Sequence, residues 1–159
     1  MYIYNPKRKS KAHIVLPICF IAMGTVALAA AKVGVIPPFV MQMLAIVCIA
    51  LAIHVISRYS LTDHTYEADS EKRVLNIRRL TGKKISLVAS IEYGDIVAID
   101  KKDKDYSLKE KYNKVYKVHN FCNNVFATEA YCLVCNIADE DIAVIIEADE
   151  MLLDILKRR

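Results

Sequence analysis

Ile14–Ala31 reads IVLPICFIAMGTVALAAA, and Phe39–Ile56 reads FVMQMLAIVCIALAIHVI. Neither run contains an Asp, Glu, Lys or Arg. At about 1.5 Å of rise per residue, each makes a helix about 27 Å long, enough to cross a hydrocarbon layer of roughly 30 Å. Gly34 and Pro37-Pro38 lie between the runs and supply a turn. Pro38 can open the second helix because its φ is already helical, and Pro17 sits in the first turn of the first helix, where a missing N–H is harmless. The reading is a transmembrane hairpin over residues 13–57, with spans at about 14–31 and 39–56. A basic tail over 1–12 precedes it and a domain over 58–159 follows it. A cleaved leader fits less well, because the first run exceeds a usual leader core and a second run follows at once.

The charge is distributed accordingly. The whole chain is +4. Residues 1–57 hold Lys7, Arg8, Lys9, Lys11 and Lys32 and no acid, so the remainder is slightly negative. The basicity belongs to the membrane flanks. It is not a nucleic-acid footprint, which needs a basic face on the folded domain itself. Four bases precede the first run and Arg58 follows the second, while the connecting turn has only Lys32. The positive-inside rule then places both termini in the cytoplasm, in an integral protein of the cell membrane. Five cysteines, with Cys19 and Cys48 inside the runs, imply no disulfide framework. His54 reads as an interfacial residue, since a proton relay needs a second ionisable group at similar depth.

From Thr62 the period changes from helical to two. Thr65–Asp69, Val74–Leu80 and Ile85–Tyr93 read as strands, separated by turn-like Asp69–Lys72 and Thr81–Lys84. The alternation Ile85, Leu87, Ala89, Ile91, Tyr93 is the clearest strand signal in the chain. Ile96–Asp100, Val115–Phe121, Ala130–Ile137 and Ile142–Glu147 follow. Asn123-Asn124 and Asp139–Asp141 read as turns, and Lys101–Asn113 as an exposed charged loop. Residues 149–158 place Leu152, Ile155 and Leu156 on one helical stripe, with acids in the first turn and bases in the last. That short helix is marginal alone and needs a sheet to lie on.

The expected architecture is an α+β membrane protein. The order and patterning of Tyr59–Thr62, Val74–Arg79, Ile85–Leu87, Ile91, Ile145–Leu152 and Ile155-Leu156 resemble a bacterial PH-like (pleckstrin-homology-like) domain. The resemblance covers Tyr59–Arg159. It implies an antiparallel β-barrel or curved sheet with a C-terminal capping helix, often tethered behind two membrane helices. It also implies no shared catalytic residues. Two features depart from the pattern. One is the charged stretch Lys101–Asn113. The other is Arg79, which falls in phase with Leu75 and Ile77 and calls for a bulge or strand end there.

Arg58, Lys72, Arg73, Arg78, Arg79, Lys83 and Lys84 form a juxtamembrane basic set that can attract anionic lipid headgroups, at about 1 kcal/mol per residue near the surface. Asp69 and Glu71 dilute it. His119, Cys122, Cys132 and Cys135 give a His-x2-Cys-x9-Cys-x2-Cys spacing suggestive of zinc. In a strand, however, Cys132 and Cys135 point to opposite faces, and their ordinary reading is small buried hydrophobes. Phosphate-loop, nucleophile-elbow and zincin motifs are absent from the sequence. The expectation is a non-enzymatic, cofactor-free scaffold or interaction module at the cytoplasmic membrane face. Its expected partners are lipids and another membrane protein or a second copy, with no nucleic acid. An anionic-lipid headgroup sensor is the alternative, and a zinc- or thiol-dependent module the next.

Overall fold

The computed structural model describes every residue except Lys9, Gly34, Val35, Lys104, Asp105, Val115, Thr128, Asp139 and Arg159. Expectations that fall there lie outside the described residues: Lys9 of the basic flank, the turn at Gly34, part of the charged stretch, the strand start at Val115, the turn at Asp139 and the last residue. The chain divides into two compact units.

The helical unit is Arg8–Thr62 with Asn124–Phe126. It contains α1 (Ala12–Ala30) and α2 (Pro38–Val55), the latter continued by a wider π-type turn over Ile56–Ser60. Pro38 opens α2, as its fixed φ favours. The buried seam between the helices is made of Gly24 and Ala27 on α1 and Ala45, Cys48 and Ala52 on α2. Small residues let two backbones approach closely. A Cβ on Gly24 would sit 3.5 Å from the Ala45 carbonyl oxygen, which is ordinary contact. The other faces are lined with exposed Ile, Val, Leu, Met and Phe. At the open end, the Arg8 guanidinium donates to the Ser60 carbonyl at 3.2 Å and the Thr62 carbonyl at 3.4 Å. Ser60 Oγ donates to the His13 carbonyl at 3.1 Å. Arg8 thus satisfies, at Ser60, a carbonyl that a helix end leaves without an intrahelical partner.

The β unit is Met1–Lys7, Asp63–Asn123 and Ala127–Arg159. One four-stranded sheet has the order β1-β2-β3-β4, with β1 at Tyr2–Tyr4, β2 at Thr62–Asp69, β3 at Val74–Thr81 and β4 at Lys84–Glu92. The other has the order β5-β7-β8-β6, with β5 at Ile96–Lys101, β6 at Lys117–Asn120, β7 at Ala130–Ile137 and β8 at Glu140–Glu147. The main core lies among Tyr66, Leu75, Ile77, Ile91, Leu133 and Ile146, with Leu152, Leu153 and Leu156 of α4 (Glu150–Lys157) packed into it. Asp149 caps α4 by accepting the Leu152 N–H at 2.9 Å.

Four expectations need correction. The first residues are not all tail, because Tyr2, Ile3 and Tyr4 pair antiparallel with Ala68, Glu67 and Tyr66. Tyr2 Oη also donates to Asp149 at 2.6 Å. The apolar hairpin is therefore inserted between two strands of one sheet, and does not simply precede the domain. Secondly, the pairing is not antiparallel throughout: β6 runs parallel to β8, while the sheets stay open, as the curved-sheet form of the expected architecture allows. β8 has inserted between β6 and β7, so the connection between those two strands must reach across it.

Thirdly, the alternation in β4 does not bury one apolar face. Ile77 pairs with Ala89 but Arg78 pairs with Leu87, which leaves Val88 as an extra residue. Cross-strand partners share a face, and a bulge switches phase. Ile91 and Ala89 face the core, whereas Leu87 and Ile85 fall on the outer face with Arg78 and Leu80. They are 60% and 62% exposed. The irregularity anticipated from Arg79 is there, one residue earlier. Fourthly, Lys101–Asn113 is not only an exposed loop. It contains a short helix, α3 (Leu108–Tyr112), capped by Ser107. Tyr106, Leu108, Tyr112 and Tyr116 cover the second face of the β5-β7-β8-β6 sheet. With both faces covered, β7 and β8 are buried almost continuously.

Candidate functional site

Within the β unit the basic residues do not converge. β2 and β3 have equal lengths and are joined by the four-residue turn Ser70–Arg73, which makes them antiparallel. Lys72 and Arg73 occupy that turn, while Lys83 and Lys84 lie at the β3–β4 turn, at the other end of β3. Eight strand residues separate the two places by about 25 Å. Arg58 belongs to the helical unit, where its guanidinium stacks 5.2 Å from the centroid of the Tyr59 ring.

The two ends differ in character. At the β2–β3 turn, Asp69 Oδ1 accepts the N–H groups of Glu71 and Lys72 at 3.1 and 3.2 Å. The bond from Lys72 N–H is the main reason that the Asp69 carboxyl is held below its ordinary range. Arg73 adopts φ of 53°, and its carbonyl accepts the Tyr93 N–H at 2.8 Å. This is a self-satisfied turn of mixed charge. In mid-strand, Arg78 Nε pairs with Glu67 Oε2 at 2.8 Å. At the β3–β4 turn, Gly82 supplies φ of 60°, and Arg79, Lys83 and Lys84 are exposed. Among the described residues, their side chains have no ion-pair partner. Exposed Ile85 and Leu87 lie at the same strand end, on the face opposite Arg79 and Lys84. This end alone combines free cations with uncovered apolar side chains.

The zinc-like set is distributed over two cores. Cys122 and Cys132 pack in the smaller cluster and Cys135 in the main core, on the opposite face of β7. His119 stacks on Phe121 with ring centroids 6.2 Å apart. Among the described residues no three His, Cys, Asp or Glu side chains are grouped as metal ligands would be. Burial pushes the Cys132 thiol up and the Cys135 thiol up to about 12, so both disfavour the thiolate that redox or metal chemistry uses.

Sequence reasoning missed two constellations. Asp100, at the end of β5, accepts Tyr106 Oη at 3.1 Å and also Tyr112 Oη and Lys111 Nζ. Burial acts to raise its pKa. The donors Lys111, Tyr112 and Tyr106 outweigh it, and the carboxyl lies below its ordinary range. Burial, reinforced by the contact with Asp100, pushes both phenols up. One carboxylate thus ties down the charged stretch, and the Tyr/Leu spacing within it was the legible signal. The second is Asn123, 1% exposed. Its Oδ1 accepts the His64 N–H at 2.6 Å and faces His64 Nδ1 at 3.2 Å. Its Nδ2 donates to the carbonyls of His64 at 2.9 Å and Pro6 at 3.4 Å. A lone Asn in an Asn-Asn pair carries no sequence signal beyond "turn". Both constellations hold chain segments together and neither presents a nucleophile.

No curated protein and no solved structure matches the chain. A family model described as a bacterial PH-like domain (DUF6106) matches residues 5–159, so that it takes in the inserted hairpin as well as the sheets and the final helix. PH-like domains are generally non-catalytic. On that match and the fold it accompanies, the chain belongs to the bacterial PH-like domain family DUF6106.

Proposed function

We propose that the chain is an integral protein of the cytoplasmic membrane whose PH-like domain is a non-catalytic interaction module on the cytoplasmic face. One observation carries the reading. The apolar hairpin enters after β1 and leaves into β2, and these strands pair in one sheet. Any membrane crossing between them must be even in number, so two helices that span leave both flanks on one side. The helices suit a bilayer. Both meet the length and hydropathy of a span, and only 17% of each apolar window is buried within the protein. The core helix of a water-soluble protein is mostly buried. Lys7, Arg8 and Lys11 flank the first helix on the domain side, and the positive-inside rule makes that side cytoplasmic.

The module's partner, on this reading, is another membrane protein or a second copy of the chain. Reporter fusions test the topology. A reporter after Lys157 is expected to be active only in the cytoplasm, and one inserted after Lys32 only outside it. The reverse pattern refutes the orientation. Photo-crosslinking from exposed domain positions in intact membranes identifies the partner. A second reading, contact with anionic lipid, is favoured by the unpaired cations at the β3–β4 turn. It does not extend to a headgroup pocket that needs both turns, because Lys72 and Arg73 lie at one end of β3 and Lys83 and Lys84 at the other.

A further inference from the structure

We propose that the β3–β4 end of the first sheet is a bilayer-contact site. In it, Ile85 and Leu87 seat among the lipid headgroups and upper acyl carbons, while Lys83, Lys84 and Arg79 pair with anionic headgroups. The proposal rests on the membrane anchorage inferred above and specifies what the anchored domain touches.

Three observations converge on this end. The Val88 bulge turns Leu87 and Ile85 out of the core, where they stand 60% and 62% exposed beside the turn. A strand without that bulge would place both on the face that carries Ile91 and Ala89. The residues from Lys72 to Ile91 include six bases and no acid, and the three bases nearest the tip have no ion-pair partner among the described residues. Their charge is thus available to an anionic surface, unlike that of Arg78, which Glu67 holds. Finally, β2 and β3 are eight residues each and antiparallel, so the β3–β4 turn lies at the end of the sheet where β2 begins. Only Leu61, itself 59% exposed, separates β2 from the helical segment Ile56–Ser60. Apolar side chains and Lys or Arg gathered at one strand end are the composition that dips end-on into an anionic interface, since the apolar groups gain from leaving water and the cations from the surface potential. A protein partner for this tip needs an acidic rim. The bilayer is the acidic surface that the chain's own anchor brings within reach.

The chain contains no tryptophan, so one introduced indole reports its own position. Leu87→Trp, Ile85→Trp and a control on β5, Val97→Trp (59% exposed in the parent), are made in the full chain. Each is reconstituted into phosphatidylglycerol or phosphatidylcholine vesicles. In phosphatidylglycerol, the indole at 85 or 87 is expected to emit to the blue of the control. It should be quenched at least twofold more by lipid brominated near the headgroup, and shielded from iodide. Lys83→Gln with Lys84→Gln is expected to lower the ratio of bound to free tip by about 30-fold, as two surface cations imply. The proposal is overturned if both tip indoles match the control in iodide access and ignore brominated lipid. It is equally overturned if they are shielded without bromine quenching and become exposed when the protein is diluted in lipid, which identifies a second copy as occupant. A carbonate wash separates the two levels. Protein lost from the vesicles refutes the anchorage, and with it the contact. Protein retained with water-exposed indoles refutes the contact alone.

Discussion

Asn123→Ala is the most severe single test of how the β unit is assembled. Asn123 joins β2, the β6–β7 connection and the segment that follows β1, through His64 and the Pro6 carbonyl. The substitution strands the His64 N–H, which Oδ1 holds at 2.6 Å, and the His64 carbonyl, which Nδ2 holds at 2.9 Å. His64 is 2% exposed and Asn123 1%, so water cannot replace the lost partners without opening the structure. Each stranded buried polar group costs about 1–3 kcal/mol. The bond to Pro6 at 3.4 Å is long and adds little. The expected loss is about 3–5 kcal/mol, a large share of the roughly 5–15 kcal/mol that holds a domain folded. For a domain of this size the melting temperature then falls by at least about 12 °C.

The assay is thermal unfolding of the full chain in detergent, followed by circular dichroism in the β region, with amide exchange resolved on residues 2–6 and 62–68. Exchange is expected to accelerate first in residues 2–6, since β1 loses both its Asn123 tether and its ordered partner strand. A melting temperature within about 5 °C of the parent, with unchanged exchange in residues 2–6, would show that the Asn123 contacts carry no net stability. The argument from stranded buried groups would then fail.

Asp100→Ala is expected to release the segment Tyr106–Tyr116, raising its amide exchange and the alkylation rate of Cys132 while leaving the α4 amides protected. In the parent the Asp100 carboxyl is held low, so its contribution is present above the ordinary carboxylate pKa and fades as pH falls through the lowered folded value; acid titration followed by the near-ultraviolet circular dichroism of Tyr106 and Tyr112 should show release only there. Tyr2→Phe is expected to loosen the tie between β1 and α4. The hydrogen bond to Asp149 is the main reason that Tyr2 is pushed up to about 12, so this tie is intact below about pH 10 and is lost as pH rises through the folded value. Parent and Tyr2→Phe melting temperatures should therefore converge above pH 12. Replacing residues 8–61 with a Gly/Ser linker of about six residues, which reaches up to about 20 Å, is expected to give a water-soluble β unit with its parent circular dichroism. Deleting residues 1–61 outright should lower the melting temperature, because β1 is gone. Equal melting curves for the two would remove β1 from the account.

Elements whose signal is local were legible in the sequence. The two helices follow from apolar runs too long for a small core. α4 follows from the stripe Leu152, Ile155, Leu156 and from Asp149 at its cap. The outward turn of Leu87 and Ile85 in β4 is not legible, because period two assumes an uninterrupted ladder. Val88 is a good strand former, and nothing about it in isolation marks it as the extra residue; only its pairing with β3 does. β1 was illegible for a related reason. Three residues, Tyr2–Tyr4, are too few to show a period, and their partner lies beyond the whole hairpin. Asp100 looked like one more charge at the edge of a charged stretch, and its three donors arrive from six to twelve residues away. The basic set was found as residues but misjudged as a cluster. Adjacent hairpin turns are close in sequence yet fall at opposite ends of the strand they share.

That topology changes what the hairpin does for the domain. Tyr4 pairs with Tyr66 across some sixty residues, and closing so long a loop of flexible chain costs about 3–4 kcal/mol. A three-residue strand offers only a few backbone hydrogen bonds, each worth about 1 kcal/mol net, which does not cover the closure and the ordering of the segment together. The intervening chain is not flexible, however. α1 and α2 pack along a seam of Gly24, Ala27, Ala45, Cys48 and Ala52, and Arg8 holds the carbonyls of Ser60 and Thr62. The packed hairpin therefore holds its own two ends side by side. β1 is delivered next to β2 at little further entropic cost, and the Tyr2–Asp149 and Asn123–Pro6 contacts need only hold it there. The hairpin proposed as the anchor thus also favours the β1–β2 pairing at the edge of the first sheet. Loosening the α1–α2 seam should be felt in β1 before it is felt in the core.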